Sequence, residues 1–442
     1  MSMKDVLTSI KSVNARYSMF HAFTEDTEPG NAKFLFSAKD NLTSYDMETC
    51  SGSKILEGYH PAFDATPIAK MRAAGGKLIG KTNMDEFGFG TFSTNSGLEI
   101  PRNPFDPERA CGGSSGGSAC AAAVFEDHIS LGVSTGGSIC CPASFCGVYG
   151  LAPTYGRVSR YGLIDYGNSL DKVGPISAKA GDLRKTINII AGKDSRDPTS
   201  CVQPELRNGY RKLQSVAVPK EGMEGLSKEV EKAFSSALEI LKSMGTEVEF
   251  IDMPSLKYAM PAYYILATSE ASTNLARYVG MRYGRQDGDL SQKFDAYFSE
   301  VRSKYFGDEA KRRILLGTFT RMEGYRDRYY AKARQVREVV IADYKRVLEN
   351  HDAVLAPTMP FTAPKFEDIS KMSALDSYKA DYLTVPANLA GTPHMSVPCG
   401  YDSNGMPIGM QFVADHWDEE ILFSAAEDWE KMFDLRKPEV KA

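Results

Sequence analysis

Two glycine- and serine-rich clusters and one lysine supply the residue types that could do chemistry in this chain. Gly112-Gly113-Ser114-Ser115-Gly116-Gly117-Ser118 and Thr135-Gly136-Gly137-Ser138 lie in a stretch, 110–156, whose only acidic or basic residues besides His128 are Glu126 and Asp127. Glycine removes the Cβ that keeps backbones apart, so such a stretch can bring hydroxyls and several N–H groups to one point. Aimed together, those N–H groups form an anion cradle or an oxyanion hole. Phosphate binding fits poorly, because no lysine follows either cluster as a P-loop requires and no G-x-G-x-x-G is present. The G-x-S-x-G elbow is also missing, since the run around Ser138 reads Gly136-Gly137-Ser138-Ile139-Cys140. A serine nucleophile still needs a base. The six histidines, His21, His60, His128, His351, His394 and His416, stand in no obvious catalytic setting. Lysine is the known substitute, and it works only when desolvation or nearby positive potential keeps it neutral. Lys39, just past the apolar run Phe34-Leu35-Phe36, is a candidate.

The elements that must position these groups read as α/β. Residues 34–36 form a short strand that delivers Lys39 at its end. Residues 64–74 form a helix stopped by Gly75-Gly76, and 77–82 the next strand. Residues 83–109 are loop, and the Ala-rich 118–125 is a helix opening just after the first cluster. Residues 129–133 return as a strand into the second cluster. Strands at 215–218 and 247–251 then alternate with a helix at 226–244. Residues 258–350 break that alternation with an almost wholly helical, aromatic and basic insertion. Strands resume at 353–355, 394–397 and 408–413, and 419–432 closes the chain as a helix. No linker or low-complexity run divides the 442 residues, so residues 1–442 are expected to form one domain carrying a helical insertion at 258–350.

A net charge of −5 with no basic block argues against this chain gripping nucleic acid alone. The eight cysteines contain no C-x2-C pair and five of them crowd into the Gly/Ser stretch, which argues against a disulfide framework and points to a reducing compartment. Cys140, Cys141 and Cys146 could ligate a metal, but no matched histidine accompanies them, and small buried side chains are the plainer reading. The longest uncharged run holds glycines, prolines and hydroxyls, so no membrane span is expected. Residues 1–23, with Lys4, Lys11 and Arg16 against Asp5, read either as a mitochondrial targeting helix or as an amphipathic first helix of the domain.

Ser37-Ala38-Lys39-Asp40-Asn41, the Gly112–Ser118 cluster and Thr135-Gly136-Gly137-Ser138-Ile139, in that order, resemble the amidase signature family. The resemblance covers nearly the whole chain after about residue 34 and implies a central mixed β-sheet flanked by helices. It implies a Ser–cis-Ser–Lys triad in which Ser138 is the nucleophile, Ser114 the bridging hydroxyl after a cis peptide bond, and Lys39 the base. The N–H groups of Thr135, Gly136, Gly137 and Ser138 would hold the oxyanion. The chain departs from the family pattern at Ser134 and Cys140, where an aspartate and an arginine usually stand. Both charges are lost together, which leaves no unpaired buried ion.

Within that family, Pro153-Thr154-Tyr155-Gly156-Arg157-Val158-Ser159-Arg160-Tyr161-Gly162, Ser269-Glu270-Ala271, Lys311 to Phe319 and Asn388-Leu389-Ala390-Gly391 look like the A-type subunits of the tRNA-dependent glutamyl/aspartyl amidotransferases. The resemblance implies a glutamine site with Arg313 on the substrate carboxylate and Asp381 with Tyr263 on its ammonium. Arg312 competes with Arg313 for register. No metal or cofactor is implied on this chain. ATP and Mg are expected on a B-like kinase/transamidase partner, which would receive the ammonia and amidate Glu-tRNA(Gln). The early position of Lys39 looks like the fungal mitochondrial form, with a matrix location and a small third subunit. Two other readings stay open: a free-standing hydrolase of small or fatty amides, and a non-catalytic scaffold subunit.

Overall fold

The computed structural model describes residues 2–204, 206 and 209–440. Among them, eleven strands form one mixed sheet: β1 Phe20–Phe23, β2 Phe34–Lys39, β3 Gly76–Thr82, β4 His128–Ser134, β5 Tyr149–Ala152, β6 Lys172–Ser177, β7 Ser215–Pro219, β8 Glu247–Ile251, β9 Ala353–Pro357, β10 His394–Tyr401 and β11 Pro407–Val413. Their order across the sheet is β1-β3-β2-β4-β6-β5-β10-β11-β9-β7-β8. β2 runs parallel to both β3 and β4, and β7 parallel to β8 and β9, while the middle of the sheet is antiparallel. The parallel flanks need helical crossovers, and the chain supplies them in Thr66–Ala73 and Lys228–Ser243. Strands covered on both faces lose the alternation of polar and apolar residues, and β4 and β11 are buried at every position.

Three strands carry too little sequence signal to be expected. β1 and β5 have four residues each, and β6 reads Lys-Val-Gly-Pro-Ile-Ser, a composition that argues against a strand. It is nonetheless buried throughout, because a Cβ at Gly174 would strike the Leu151 carbonyl and only glycine lets β6 pass so close. The helices Ala180–Ile190 and Cys140–Phe145 are likewise additions to the sequence expectation. Residues 83–109 are irregular as expected, apart from one short turn at Glu86–Gly88.

Helix Met3–Tyr17 opens with a capping box at Ser2 and Asp5 and buries Val6, Leu7, Ile10, Val13 and Tyr17. Each such side chain contributes roughly 1.5–3 kcal/mol of transfer free energy. The segment is therefore an integral first helix, docked on Phe20, Leu35 and Ile79.

Between β8 and β9 the chain builds a helical layer from Leu256–Asn274, Phe294–Tyr305, Asp308–Arg321 and Lys332–Leu348. It is less continuous than its composition suggests: residues 278–293 are irregular, and Gly280 and Gly284 take positive φ there. A Cβ at Gly317 would overlap the Thr268 carbonyl, so glycine allows Asp308–Arg321 to pack directly on Leu256–Asn274. That close packing aims Arg313 and Tyr264 toward the same space.

Candidate active site

The parallel trio β3-β2-β4 places the chemistry. Lys39 is the last residue of β2, and the second glycine cluster begins one residue past β4, its neighbour. Lys39 is 1% exposed, and its Nζ donates to Ser114 Oγ at 2.6 Å and to the Val133 carbonyl at 3.0 Å. Burial lowers its pKa to about 7, against an opposing pull from Asp85 and Asp171. The Gly113–Ser114 peptide bond is cis. A Cβ on Gly113 would run into the Asp85 carboxylate and lie 2.7 Å from the Ser93 nitrogen, so glycine is required at that position.

Ser138 lies beside this pair, its carbonyl accepting from the Ser115 N–H at 3.3 Å. Ser115 Oγ in turn bridges both the nitrogen and the carbonyl of Val133, which ties the two clusters together. Among the described residues the Ser138 hydroxyl makes no hydrogen bond, and Ser138 keeps 7% of its surface exposed. The N–H groups of Thr135, Gly136, Gly137 and Ser138 likewise donate to no group among the described residues. The loop's carbonyl and hydroxyl atoms are occupied instead. Asn388 Nδ2 donates to the Thr135 carbonyl, Ser134 Oγ donates to the Gly136 carbonyl at 2.9 Å, and Thr135 Oγ1 donates to Asp171 at 2.7 Å. The loop is thus held from behind while its donors stay free, as stabilisation of an oxyanion requires.

Ser134 and Cys140 fill the space without charge. Ser134 makes the bond just described, and Cys140 Sγ faces the Gly150 and His394 carbonyls. Cys141 and Cys146 donate to other carbonyls, of Thr91 and Cys111, so the three thiols do not converge on one point. His128 and His394 are fully buried and held to about 3 by burial, which keeps them neutral.

Arg313 is 2% exposed, whereas the side chain of Arg312 is 46% exposed. The Arg313 guanidinium lies over the rings of Phe89, Tyr166, Tyr264 and Tyr378 at 5.1 to 5.5 Å. It donates to Glu309 at 2.7 Å and to the Tyr166 hydroxyl at 2.5 Å. Asp381 accepts from Thr91 Oγ1 at 2.8 Å and from the Tyr264 hydroxyl at 3.3 Å through Oδ2. Its Oδ1 is buried without a partner among the described residues. Burial raises the Asp381 carboxyl to about 7, while the Thr91 bond and Arg313 act the other way. Lys379 pairs with Asp376, not with Asp381.

Tyr263 is buried against the donor loop. Its hydroxyl lies 3.0 Å from where a Gly136 Cβ would be, so it backs the free-donor loop. Tyr264, the next residue, is the one that reaches Asp381. Sequence reasoning missed Tyr264, Thr91, Asp85 and Asp171. Only a helical-phase argument on Tyr263-Tyr264 could have raised the first, and the others come from loops that carry no periodic signal. A cavity of about 680 Å³ opens onto Thr91, Arg313 and Tyr378; Ser138 is not on its wall.

The chain is similar to known proteins along nearly its whole length. The family model described as Amidase matches residues 34–423. The A-type subunit of glutamyl-tRNA(Gln) amidotransferase from Macrococcus caseolyticus is 43% identical over 98% of this chain and 91% of its own length. Its counterpart of the same name from Methanospirillum hungatei is 46% identical over 89% of this chain and 91% of its own. Among solved structures, the corresponding A-type subunit of Thermotoga maritima superposes with a TM-score of 0.84 at 35% identity, covering 100% of this chain and 95% of that one. The peptide amidase of Stenotrophomonas maltophilia superposes at 0.80 with 25% identity, over 100% and 96% of the two chains. A buried lysine on a cis-linked serine, beneath a loop of free N–H donors, therefore occurs in a chain that belongs to the amidase family, among the A-type subunits of its glutamyl-tRNA(Gln) amidotransferases.

Proposed function

We propose that this chain is the glutaminase subunit of a tRNA-dependent amidotransferase, cleaving the side-chain amide of glutamine and passing ammonia to a partner that converts Glu-tRNA(Gln) to Gln-tRNA(Gln). The observation that carries the hydrolytic half is the 2.6 Å contact between buried Lys39 and Ser114, beside a serine whose hydroxyl is unengaged. In the neutral form, Lys39 accepts the Ser114 proton as Ser114 accepts the Ser138 proton. Ser138 Oγ then forms a bond to the amide carbon, and the carbonyl electrons move onto oxygen beneath the Thr135–Ser138 donors. The relay runs backwards to protonate the departing nitrogen, so ammonia leaves and a glutamyl ester remains on Ser138. Water, deprotonated through the same relay, releases glutamate.

Free glutamine carries a carboxylate and an ammonium, which call for a cation and an acceptor. Arg313, always charged, and the unpartnered Oδ1 of Asp381 meet that need, and Tyr264 touches both. Such a pair disfavours an acyl chain, which speaks against a fatty-amide hydrolase. In this reading the ATP, Mg and tRNA sites belong to a B-like partner, a small third subunit completes the complex, and the assembly works in the mitochondrial matrix. The last two points rest on the sequence resemblance. The test is purification of the native chain with its partners, followed by assay of glutamine hydrolysis and of Glu-tRNA(Gln) amidation. Hydrophobic amides cleaved faster than glutamine would overturn the proposal, and so would glutamine-dependent amidation that survives Ser138→Ala.

A further inference from the structure

Away from the serine–lysine site, three potential ligand atoms of different chemistry converge where β1 meets the loop after β2. His21 Nε2, a Glu48 carboxylate oxygen and Cys50 Sγ all lie within 4.8 Å of one another. Cys50 Sγ is 3.3 Å from Glu48 Oε1, and His21 Nε2 is 3.6 Å from Glu48 Oε2. Ligands bound at 2.0–2.3 Å around a tetrahedral ion stand roughly 3.3–3.8 Å apart, so each separation is of edge length, one to each oxygen of the Glu48 carboxylate. His21 Nε2 is buried and has no hydrogen-bond partner among the described residues. An imidazole nitrogen left unsatisfied in that way costs free energy unless something fills the gap.

We propose that His21, Glu48 and Cys50 form a binding site for one divalent transition-metal ion of the zinc class. A neutral imidazole, a carboxylate and a thiolate suit that ion, and the two negative charges balance the cation's two positive ones. On binding, the Cys50 thiol loses its proton to bulk water as the metal–sulfur bond forms. Water takes the fourth position, since the Glu48 side chain is 28% exposed and that of His21 16%.

The site is built before the ion arrives. Glu48 Oε1 is fixed by the Gly58 N–H at 2.5 Å, and the Cys50 N–H donates to Asp40 Oδ2 at 2.9 Å. Asp40 follows Lys39 in sequence and pairs with buried Lys81. An ion at this position would therefore pin edge strand β1 to the loop that leaves the lysine strand. The role is structural, because no ligand reaches the serine–lysine site.

The experiment uses the full chain in a Cys201→Ser background, which removes the one exposed thiol among the described residues. After chelator treatment and dialysis, Co²⁺ should bind with one equivalent and give a thiolate-to-cobalt charge-transfer band with tetrahedral visible bands, which Zn²⁺ displaces. Cys50→Ser should abolish the charge-transfer band. His21→Ala and Glu48→Gln should each weaken Co²⁺ binding by about tenfold or more. Zn²⁺ should raise the thermal midpoint by about 2 °C or more in the parent and not in the variants. The absence of a charge-transfer band, or its persistence in Cys50→Ser, overturns the site. If Cys50→Ser does not fold, unchanged Co²⁺ affinity in both His21→Ala and Glu48→Gln overturns it equally.

Discussion

A protonated Lys39 cannot accept a second proton, so the hydroxyl relay runs only on the neutral fraction. Burial places that titration near pH 7, well below the ordinary lysine range. The sign follows directly: kcat for glutamine hydrolysis rises as pH climbs through about 7 and levels off above it. Asp381 titrates in the same region, also because of burial, and must lose its proton to receive an ammonium. kcat/KM should therefore rise more steeply than kcat. In Asp381→Asn the extra steepness should vanish and KM should increase, while the rise in kcat stays. A pH-independent kcat between 6 and 8 would exclude Lys39 as the base. Removing the nucleophile in Ser138→Ala should cut kcat by about 10⁴-fold or more. Lys39→Ala and Ser114→Ala should each lose on the order of 10²–10⁴-fold, as expected when a proton relay is broken. Arg313→Lys keeps the charge and the ion pair with Glu309 but loses the planar fork, so KM should rise by about tenfold or more with little change in kcat. Steady-state kinetics with glutamine separates these outcomes.

The donor loop after β4 works only if its backbone can pack directly on Thr384 and Val385, where the helix Val385–Ala390 begins. A Cβ at Gly137 would overlap the Thr384 side chain, so Gly137→Ala must displace either the loop or the turn at Thr384. Misplacing one oxyanion donor costs about 3 kcal/mol of transition-state stabilisation, so kcat should fall by roughly 10²-fold with KM and thermal midpoint little changed. Adding Thr384→Ala should recover part of the loss; if the double variant is no better than the single, the overlap is not the cause. This loop also shows what was legible beforehand. Its glycines and hydroxyls, and the lysine ending β2, stood out because a surface loop of that length would carry charge and a packed core would carry larger apolar side chains. β2, β3, β4, β7, β8, β9, β10 and β11 are legible as short strand-like runs of the right length. β6 is not, because its glycine and proline speak against a strand and only the burial supplied by β4 and β5 overrides them. Tyr263 and Tyr264 could not be ranked for a related reason. Adjacent helical residues differ by a phase of about 100°, and which of them faces Asp381 is set by the packing of Leu256–Asn274 on Asp308–Arg321.

At the scale of the whole molecule, the proposed reading divides the labour between a sheet that would hold the nucleophile and a helical layer that would hold the substrate's charged end. Ser138, Ser114 and Lys39 come from the sheet side, Arg313 and Tyr264 from the inserted layer, and Asp381 from the segment that leads back to β10. A net charge of −5 fits a chain that works beside a partner carrying the tRNA. On the proposed reading, ammonia is the only species that the hydrolytic site shares with the synthetic site on the partner. Ser138→Ala, Ser114→Ala and Lys39→Ala should all lose glutamine-dependent amidation of Glu-tRNA(Gln) in the assembled complex, yet amidate at the parent rate when ammonium salt replaces glutamine. The measurement is initial-rate formation of Gln-tRNA with each nitrogen donor, alongside gel filtration to confirm that the complex is intact. An intact complex of the Ser138→Ala chain that ammonia cannot rescue would mean that this serine serves the synthetic reaction itself, and the separation of hydrolysis from amidation would be wrong for this protein.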